Sequence, residues 1–132
     1  MNRVTHFDFQ VDDVERAKKF YEKVLDWKIE QVMTKEKSGM MDYWLVHTGS
    51  GNGISGGMYQ RPQERENKFY RFSCTIEVKD IDEAIKSVKE NGGTIEMEKS
   101  ELPDVGFFAS VKDTEGNQFA LMQPTGSKPN DK

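Results

Sequence analysis

Cysteine is nearly absent from this chain: Cys74 stands alone among 132 residues. A single thiol excludes an internal disulfide and any Cys-rich zinc module, and the reading left for it is a small buried apolar side chain. Histidine is almost as scarce, with only His6 and His47, whereas a catalytic zinc ordinarily takes three protein ligands and keeps one position open. Long apolar runs are missing too. No stretch approaches the roughly 20 residues that cross a bilayer, and Val4 to Val11 carries His6, Asp8 and Gln10 where a signal peptide needs an unbroken apolar core. The expectation is a cytoplasmic protein with no membrane partner. A concentrated basic face is also lacking, because 19 Lys and Arg are interleaved with 23 Asp and Glu for a net charge of −4. That balance argues against nucleic acid, whose phosphates demand clustered cations.

What is present is a repeat. Shifting the sequence by 67 residues lays Val11-Asp12-Asp13-Val14-Glu15-Arg16-Ala17-Lys18-Lys19 over Val78-Lys79-Asp80-Ile81-Asp82-Glu83-Ala84-Ile85-Lys86. The same shift sets His6 on Ser73. A chain of this length has room for one compact domain, so each repeat is half of a domain, one supersecondary unit used twice.

Each half reads as the same series of elements. Val4 to Val11 alternates, with Thr5, Phe7, Phe9 and Val11 on one face and Val4, His6, Asp8 and Gln10 on the other, the pattern of a two-faced strand. Asp12 and Asp13 offer N-cap oxygens to a helix over about 13–25, whose apolar residues Val14, Ala17, Phe20, Tyr21, Val24 and Leu25 recur at helical spacing. Trp27 to Met33, Tyr43 to Thr48 and roughly Ile54 to Gln60 follow as strands, the last two joined by the hairpin signal Gly49-Ser50-Gly51-Asn52-Gly53. After a linker at 61–70, Arg71 to Val78 alternates with Ser73, Thr75 and Glu77 on its polar face. A helix capped by Asp80 and closed by Asn91-Gly92-Gly93 comes next. Thr94 to Glu98, Val105 to Lys112 and Asn117 to Gln123 make the second trio of strands, and the tail from Pro124 to Lys132 has little to bury and is expected to be disordered.

Four strands between the helices exclude a ferredoxin-like arrangement, which places two there. The expectation is an α+β fold of two βαβββ modules, curved mixed sheets around a central cleft with the helices outside. Module one spans 1–60 and module two 71–123 within a single domain, 1–123.

The stretches Val4-Thr5-His6-Phe7-Asp8-Phe9-Gln10-Val11-Asp12-Asp13 and Phe20-Tyr21-Glu22-Lys23-Val24-Leu25-Asp26-Trp27 resemble the opening module of the glyoxalase/bleomycin resistance/dioxygenase proteins, the vicinal oxygen chelate superfamily. Ile81-Asp82-Glu83-Ala84, Asn91-Gly92-Gly93, Gly106-Phe107-Phe108-Ala109, Lys112 to Asn117 and Phe119 to Pro124 are similar to its second module. Asp26 departs from the Gly that relatives carry after the helix, and Asp also enters the left-handed region. The resemblance implies paired modules, a metal or ligand in the cleft, and often a homodimer. It leaves the chemistry open, since members include lyases, dioxygenases, epimerases and proteins that only sequester a drug.

In metal-using relatives, the resemblance further implies, ligands come from the inward faces of the first and last strands of each module. His6 is the only matching position. Ser73, Ala120 and a residue between Ser55 and Gly57 fall at the others. No metal or other cofactor is therefore expected. The polar candidates for a ligand are His6, Asp8 and Gln10 on the first strand and Ser73 and Thr75 on its repeat. Trp44 and Met122 are candidates among the aromatic and sulfur residues walling the cleft, with Tyr43, Tyr59, Met58 and Phe108. His6 and Glu77 are the candidates for proton transfer. Three functions stay open at this point: a metal-independent binder of a small molecule, a lyase or isomerase acting on a small oxygenated substrate, and a structural module without a ligand.

Overall fold

A computed structural model describes residues 1–125. It divides into two compact units, His6–Phe72 and, with Met1–Thr5, the chain from Ser73 onward.

In the first unit, strand β1 (Arg3–Val11), which belongs to this unit from His6 on, leads into helix α1 (Val14–Leu25) and then strands β2 (Lys28–Met33), β3 (Tyr43–His47) and β4 (Gly56–Gln60). Asp13 caps α1 by accepting from the Arg16 N–H at 3.0 Å, and Asp26 ends it in the left-handed region at φ 59°, as expected for this departure from Gly. The sheet order is β2-β3-β4-β1, with β1 parallel to β4 and the remaining pairs antiparallel. The apolar face of β1 packs under α1. Phe9, Val11, Ile29, Val46 and Met58 form the buried cluster, and Val14, Ala17 and Tyr21 of the helix close over it. The glycine-rich segment between β3 and β4 is the expected hairpin, pinned by Thr48 Oγ1 donating to Ile54 O at 2.6 Å.

One element carries no periodic signal: α2 (Lys35–Ser38), a single helical turn capped by Thr34. Four residues are too short to display a 3.6-residue repeat. The segment expected as a plain linker contains a 3₁₀ turn at Arg65–Asn67 and is fastened to β1. Gln10 Oε1 accepts from Phe69 N–H at 2.9 Å, Gln10 Nε2 donates to Asn67 O at 2.8 Å, and Arg61 donates to Gln10 O at 2.8 Å while pairing with Asp12 at 2.7 Å.

The second unit repeats the plan with β5 (Ser73–Glu77), α3 (Ile81–Glu90), β6 (Thr94–Leu102), β7 (Gly106–Lys112) and β8 (Gln118–Pro124). Its order is β5-β8-β7-β6, again with the first and last strands parallel and the others antiparallel. Asp80 caps α3 through the Glu83 N–H at 3.2 Å. Val78, Ile81, Ile85, Ala109, Val111 and Leu121 are the buried cluster. The fold is α+β, two βαβββ modules, as the strand count requires.

Three expectations are corrected. β6 runs four residues past the expected Glu98, to Leu102, through two register shifts against β7. β8 includes Pro124, and Thr125 N–H bonds Val105 O at 2.9 Å, so the expected tail is ordered at its start; 126–132 lie outside the described residues. Cys74 is exposed rather than buried. It shares a side of β5 with Ile76 and Val78, but the cluster under α3 takes in only those two.

Candidate functional site

Strand alternation gives each sheet a face turned away from its helix. In the first unit that face carries His6, Asp8 and Gln10 from β1, Gly57 and Tyr59 from β4, and Tyr43 from β3. The register pairs Asp8 with Gly57 and Gln10 with Tyr59. Gly57 is the pivot. A Cβ there would overlap the Tyr43 hydroxyl and its ring carbon, so the bare backbone of Gly57 is the bed on which the Tyr43 side chain crosses to β1.

The Tyr43 hydroxyl donates to Asp8 Oδ1 at 2.5 Å, and His6 Nε2 lies 2.8 Å from the same hydroxyl oxygen. A phenol has one proton, and the carboxylate takes it. His6 must therefore donate its Nε2–H to Tyr43, which in a neutral imidazole leaves the lone pair on Nδ1. His6 Nε2 is also 3.4 Å from Asp8 Oδ1, an ion pair whenever the ring is protonated. Burial pushes the Tyr43 phenol far above its ordinary range, and the negative charge of Asp8 and the bond to it push the same way. Tyr59, whose ring stacks on Tyr43 at 6.4 Å, is raised by burial as well.

Other nominated residues separate from this group. Trp44 packs on the helix-side cluster beside Met58, a correction to its expected place on the cleft wall. Neighbouring residues of a strand point oppositely, so Tyr43 and Trp44 cannot both face one way. Gln10 is on the polar face, but it is 5% exposed and its amide is occupied in holding the 67–69 segment. His47 pairs with Glu30 at 2.8 Å, at the end of β3 away from Tyr43. The groove of about 530 Å³ lined by Phe9, Arg16, Phe20, Arg61, Tyr70 and Phe72 lies against α1, on the side of the sheet opposite His6.

The second unit's face carries Ser73, Thr75 and Glu77 from β5, and Ala120 and Met122 from β8; the register sets Thr75 on Ala120 and Glu77 on Met122. Ser73 and Thr75 are buried, at 7% and 4% exposed. A line of hydrogen bonds crosses this sheet. Ser73 Oγ donates to Gln118 Oε1 at 2.7 Å, Gln118 Nε2 to Ser110 Oγ at 2.9 Å, and Ser110 Oγ to Glu96 Oε1 at 2.8 Å.

The residues at the superfamily's ligand positions can be tested as donors. In the first unit they are His6 and Gly57, with the Tyr43 phenol in the space a side chain at 57 would need. In the second they are Ser73 and Ala120, a hydroxyl and a methyl. Among the described residues no three His, Cys, Asp or Glu side chains gather as a metal site. This donor set does not fit the family's metal.

Sequence reading names Tyr43 only as a wall and misses Gly57, Ser110, Gln118 and Glu96. One signal is available: the 67-residue shift pairs Tyr43 with Ser110, and each is the hydrogen-bonding hub of its face.

The comparisons agree with this architecture. The sequence model of the Glyoxalase/Bleomycin resistance protein/Dioxygenase superfamily matches residues 3–121, and the chain belongs to that superfamily. Among solved structures it is similar to the hypothetical protein BH1468 from Bacillus halodurans, at 17% identity and TM-score 0.69, covering 93% of this chain and 94% of that one. It is similar to methylmalonyl-CoA epimerase from Mycobacterium tuberculosis, at 14% identity and TM-score 0.63, over 92% and 87%. It is also similar to a Streptomyces coelicolor methylmalonyl-CoA epimerase in complex with 2-nitronate-propionyl-CoA, at 11% identity and TM-score 0.67, over 97% and 98%. At these identities the likeness concerns the fold. No curated protein matches the sequence.

Proposed function

We propose that this chain binds a small molecule on the polar sheet faces opposite its helices, and does so without a metal. The observation that carries this reading is the Tyr43 hydroxyl, seated over Gly57 and bonded to both His6 and Asp8. A cation brought to His6 would have to displace that phenol and would meet no second strong donor from β4. What the face offers instead is an oriented imidazole nitrogen, a carboxylate and two stacked tyrosine rings, the mixture of apolar wall and few polar anchors typical of small-molecule sites. A cytoplasmic setting and a homodimer are the accompanying proposals, and sedimentation velocity tests the second.

A thermal-shift screen followed by equilibrium dialysis tests the reading. The expected result is a ligand that stabilises the protein, is recovered chemically unchanged, and binds His6→Ala about 10-fold or more weakly, the worth of a hydrogen bond to a charged or oriented group. A hit bound equally well by His6→Ala would refute the assignment of this face.

The Asp8–Tyr43–His6 chain supports a second reading, a lyase or isomerase acting on a small oxygenated substrate. It fixes the lone pair on Nδ1, the arrangement of a general base held by its far side. Here the expected signature is uptake of solvent deuterium into the ligand at neutral pH, lost in His6→Ala. A ligand that stays free of deuterium leaves binding alone as the function.

A further inference from the structure

We propose that the groove beside α1 in the first unit is a second binding site, which takes a small planar aromatic carboxylate with its ring against Phe20 and Phe72 and its charge on Arg16. The groove lies on the helix side of the sheet, so this site does not depend on what the polar face binds.

The groove, about 530 Å³, falls within the range of about 300–1,000 Å³ in which proteins hold small ligands. One wall is a chain of aromatic rings. Phe20 meets Tyr21 edge-on at 5.2 Å, Tyr21 meets Phe9 at 5.2 Å, and Phe9 meets Phe72 at 4.5 Å. Phe9 is buried, but Phe20 and Phe72 at the two ends of the chain are 56% and 47% exposed. Rings left in water around a recess still have apolar surface to bury, which marks an interaction site. The charged groups divide into committed and available. Arg61 pairs with Asp12 at 2.7 Å, donates to Gln10 O and Phe69 O, and is roofed by the Tyr70 ring at 4.0 Å. Asp13 is occupied in accepting the Arg16 N–H at the start of α1. The Arg16 guanidinium is 74% exposed, and its nearest carboxylate among the described residues, Asp13, stands at 3.9 Å, beyond hydrogen-bonding length. Its planar fork of N–H donors matches a carboxylate.

The second unit supplies the comparison. Under the 67-residue shift, Val11, Asp13 and Ala17 of this groove fall on Val78, Asp80 and Ala84, which line a groove of about 750 Å³ beside α3. The same recess is thus built twice. In the second copy Glu83 stands in place of Arg16 and Ser87 in place of Phe20. A helix that packs on its sheet with Glu and Ser at these positions shows that the fold requires neither the arginine nor the exposed phenyl ring. The charge differs in sign as well. Arg16, Arg61 and Arg71 line the first groove with Asp12 and Asp13, an excess of one positive charge, whereas Lys79 lines the second with Asp80 and Glu83, an excess of one negative charge. A ligand that joins a ring to an anion therefore suits the first groove and not the second.

The test compares 2-naphthoate with its neutral counterpart 2-naphthalenemethanol. Each is titrated into ¹⁵N-labelled full-length protein while the backbone amides of 16–21 and 70–72 are followed. Naphthoate is expected to bind with a dissociation constant on the order of 1 mM, ordinary efficiency for a ligand of its size, and about 10-fold more tightly than the alcohol. Arg16→Gln should bring the two within about 3-fold by weakening naphthoate alone, the scale of one charge-assisted hydrogen bond lost. Phe20→Ser should weaken both probes by about 3-fold or more, since the ring contact is common to them. Equal binding of the two probes, a preference that survives Arg16→Gln, shifts no larger here than at 83–88, or no binding at all would overturn the proposal. Shifts of the same amides on dilution without any probe would do so too, by giving the groove to a second copy of the chain. All of these outcomes are separate from a ligand of the polar face, whose mark is weakened binding in His6→Ala.

Discussion

Tyr43 links the sequence to the site at the scale of one residue, because three properties converge on it: a glycine beneath, a carboxylate ahead and a histidine behind. Its phenol is held protonated by burial first and by Asp8 second, so its pKa in the fold lies above that of the unfolded chain. The sign follows. Stabilisation from a raised group is full below its unfolded pKa, near 10 for tyrosine, and is lost as pH climbs past that value. Stability should decline above about pH 10, more gently in Tyr43→Phe, when urea midpoints are compared across an alkaline series. A spectrophotometric titration should show Tyr43 among the last of the four tyrosines to ionise. The glycine makes an independent prediction. Gly57→Ala forces a methyl into the Tyr43 hydroxyl and should cost about 1–3 kcal/mol by overpacking. In a Tyr43→Ala background the same change should cost much less, and a double-mutant cycle on denaturation midpoints reads the difference directly. Equal costs in both backgrounds would mean the contact is not what fixes Gly57.

At the scale of elements, the connection from β4 to β5 shows how a polar residue can serve architecture. Gln10 accepts from Phe69 N–H and donates to Asn67 O, both from a 5% exposed side chain. Gln10→Ala strands both backbone groups, so the expected loss is about 1–3 kcal/mol. Amide exchange at Phe69 should accelerate by a larger factor than exchange in the α3 core. The same residue marks the limit of reading sequence alone. Alternation correctly puts Gln10 on the polar face of β1, but a period of two carries no information about which distant backbone a side chain will meet. Helices α1 and α3 are legible through their caps and apolar stripes, since Asp13 and Asp80 act locally within three residues. α2 is not, for want of length. Trp44 goes astray when its residue type is weighed before its parity with Tyr43. Cys74 goes astray because alternation predicts a side, whereas burial depends on how far along that side the helix reaches. The site itself is half legible: His6, Asp8, Ser73 and Thr75 can be placed by the repeat, but the hydrogen-bond partners that orient this group come from other strands.

For the whole molecule, duplication explains why a donor set that does not fit the family's metal need not disturb the fold. Each unit owns a separate buried cluster, Phe9, Val11, Ile29, Val46 and Met58 in one and Val78, Ile81, Ile85, Ala109, Val111 and Leu121 in the other. None of these residues is a position that would bind a cation. The polar faces are free to change while the helix-side clusters hold the sheets. A structural metal would reveal itself in stability, because a cation at 100 times its dissociation constant adds about 2.7 kcal/mol. For a domain of this size that corresponds to on the order of 10 °C in Tm. Protein purified without chelator should contain well under one equivalent of nickel, zinc, iron or manganese by elemental analysis, and EDTA should leave Tm unchanged. Adding each ion in excess should produce no saturable rise. A stoichiometric metal whose removal lowers Tm would mean that Tyr43 yields its place over Gly57, and that the His6–Tyr43–Asp8 arrangement describes only the metal-free state.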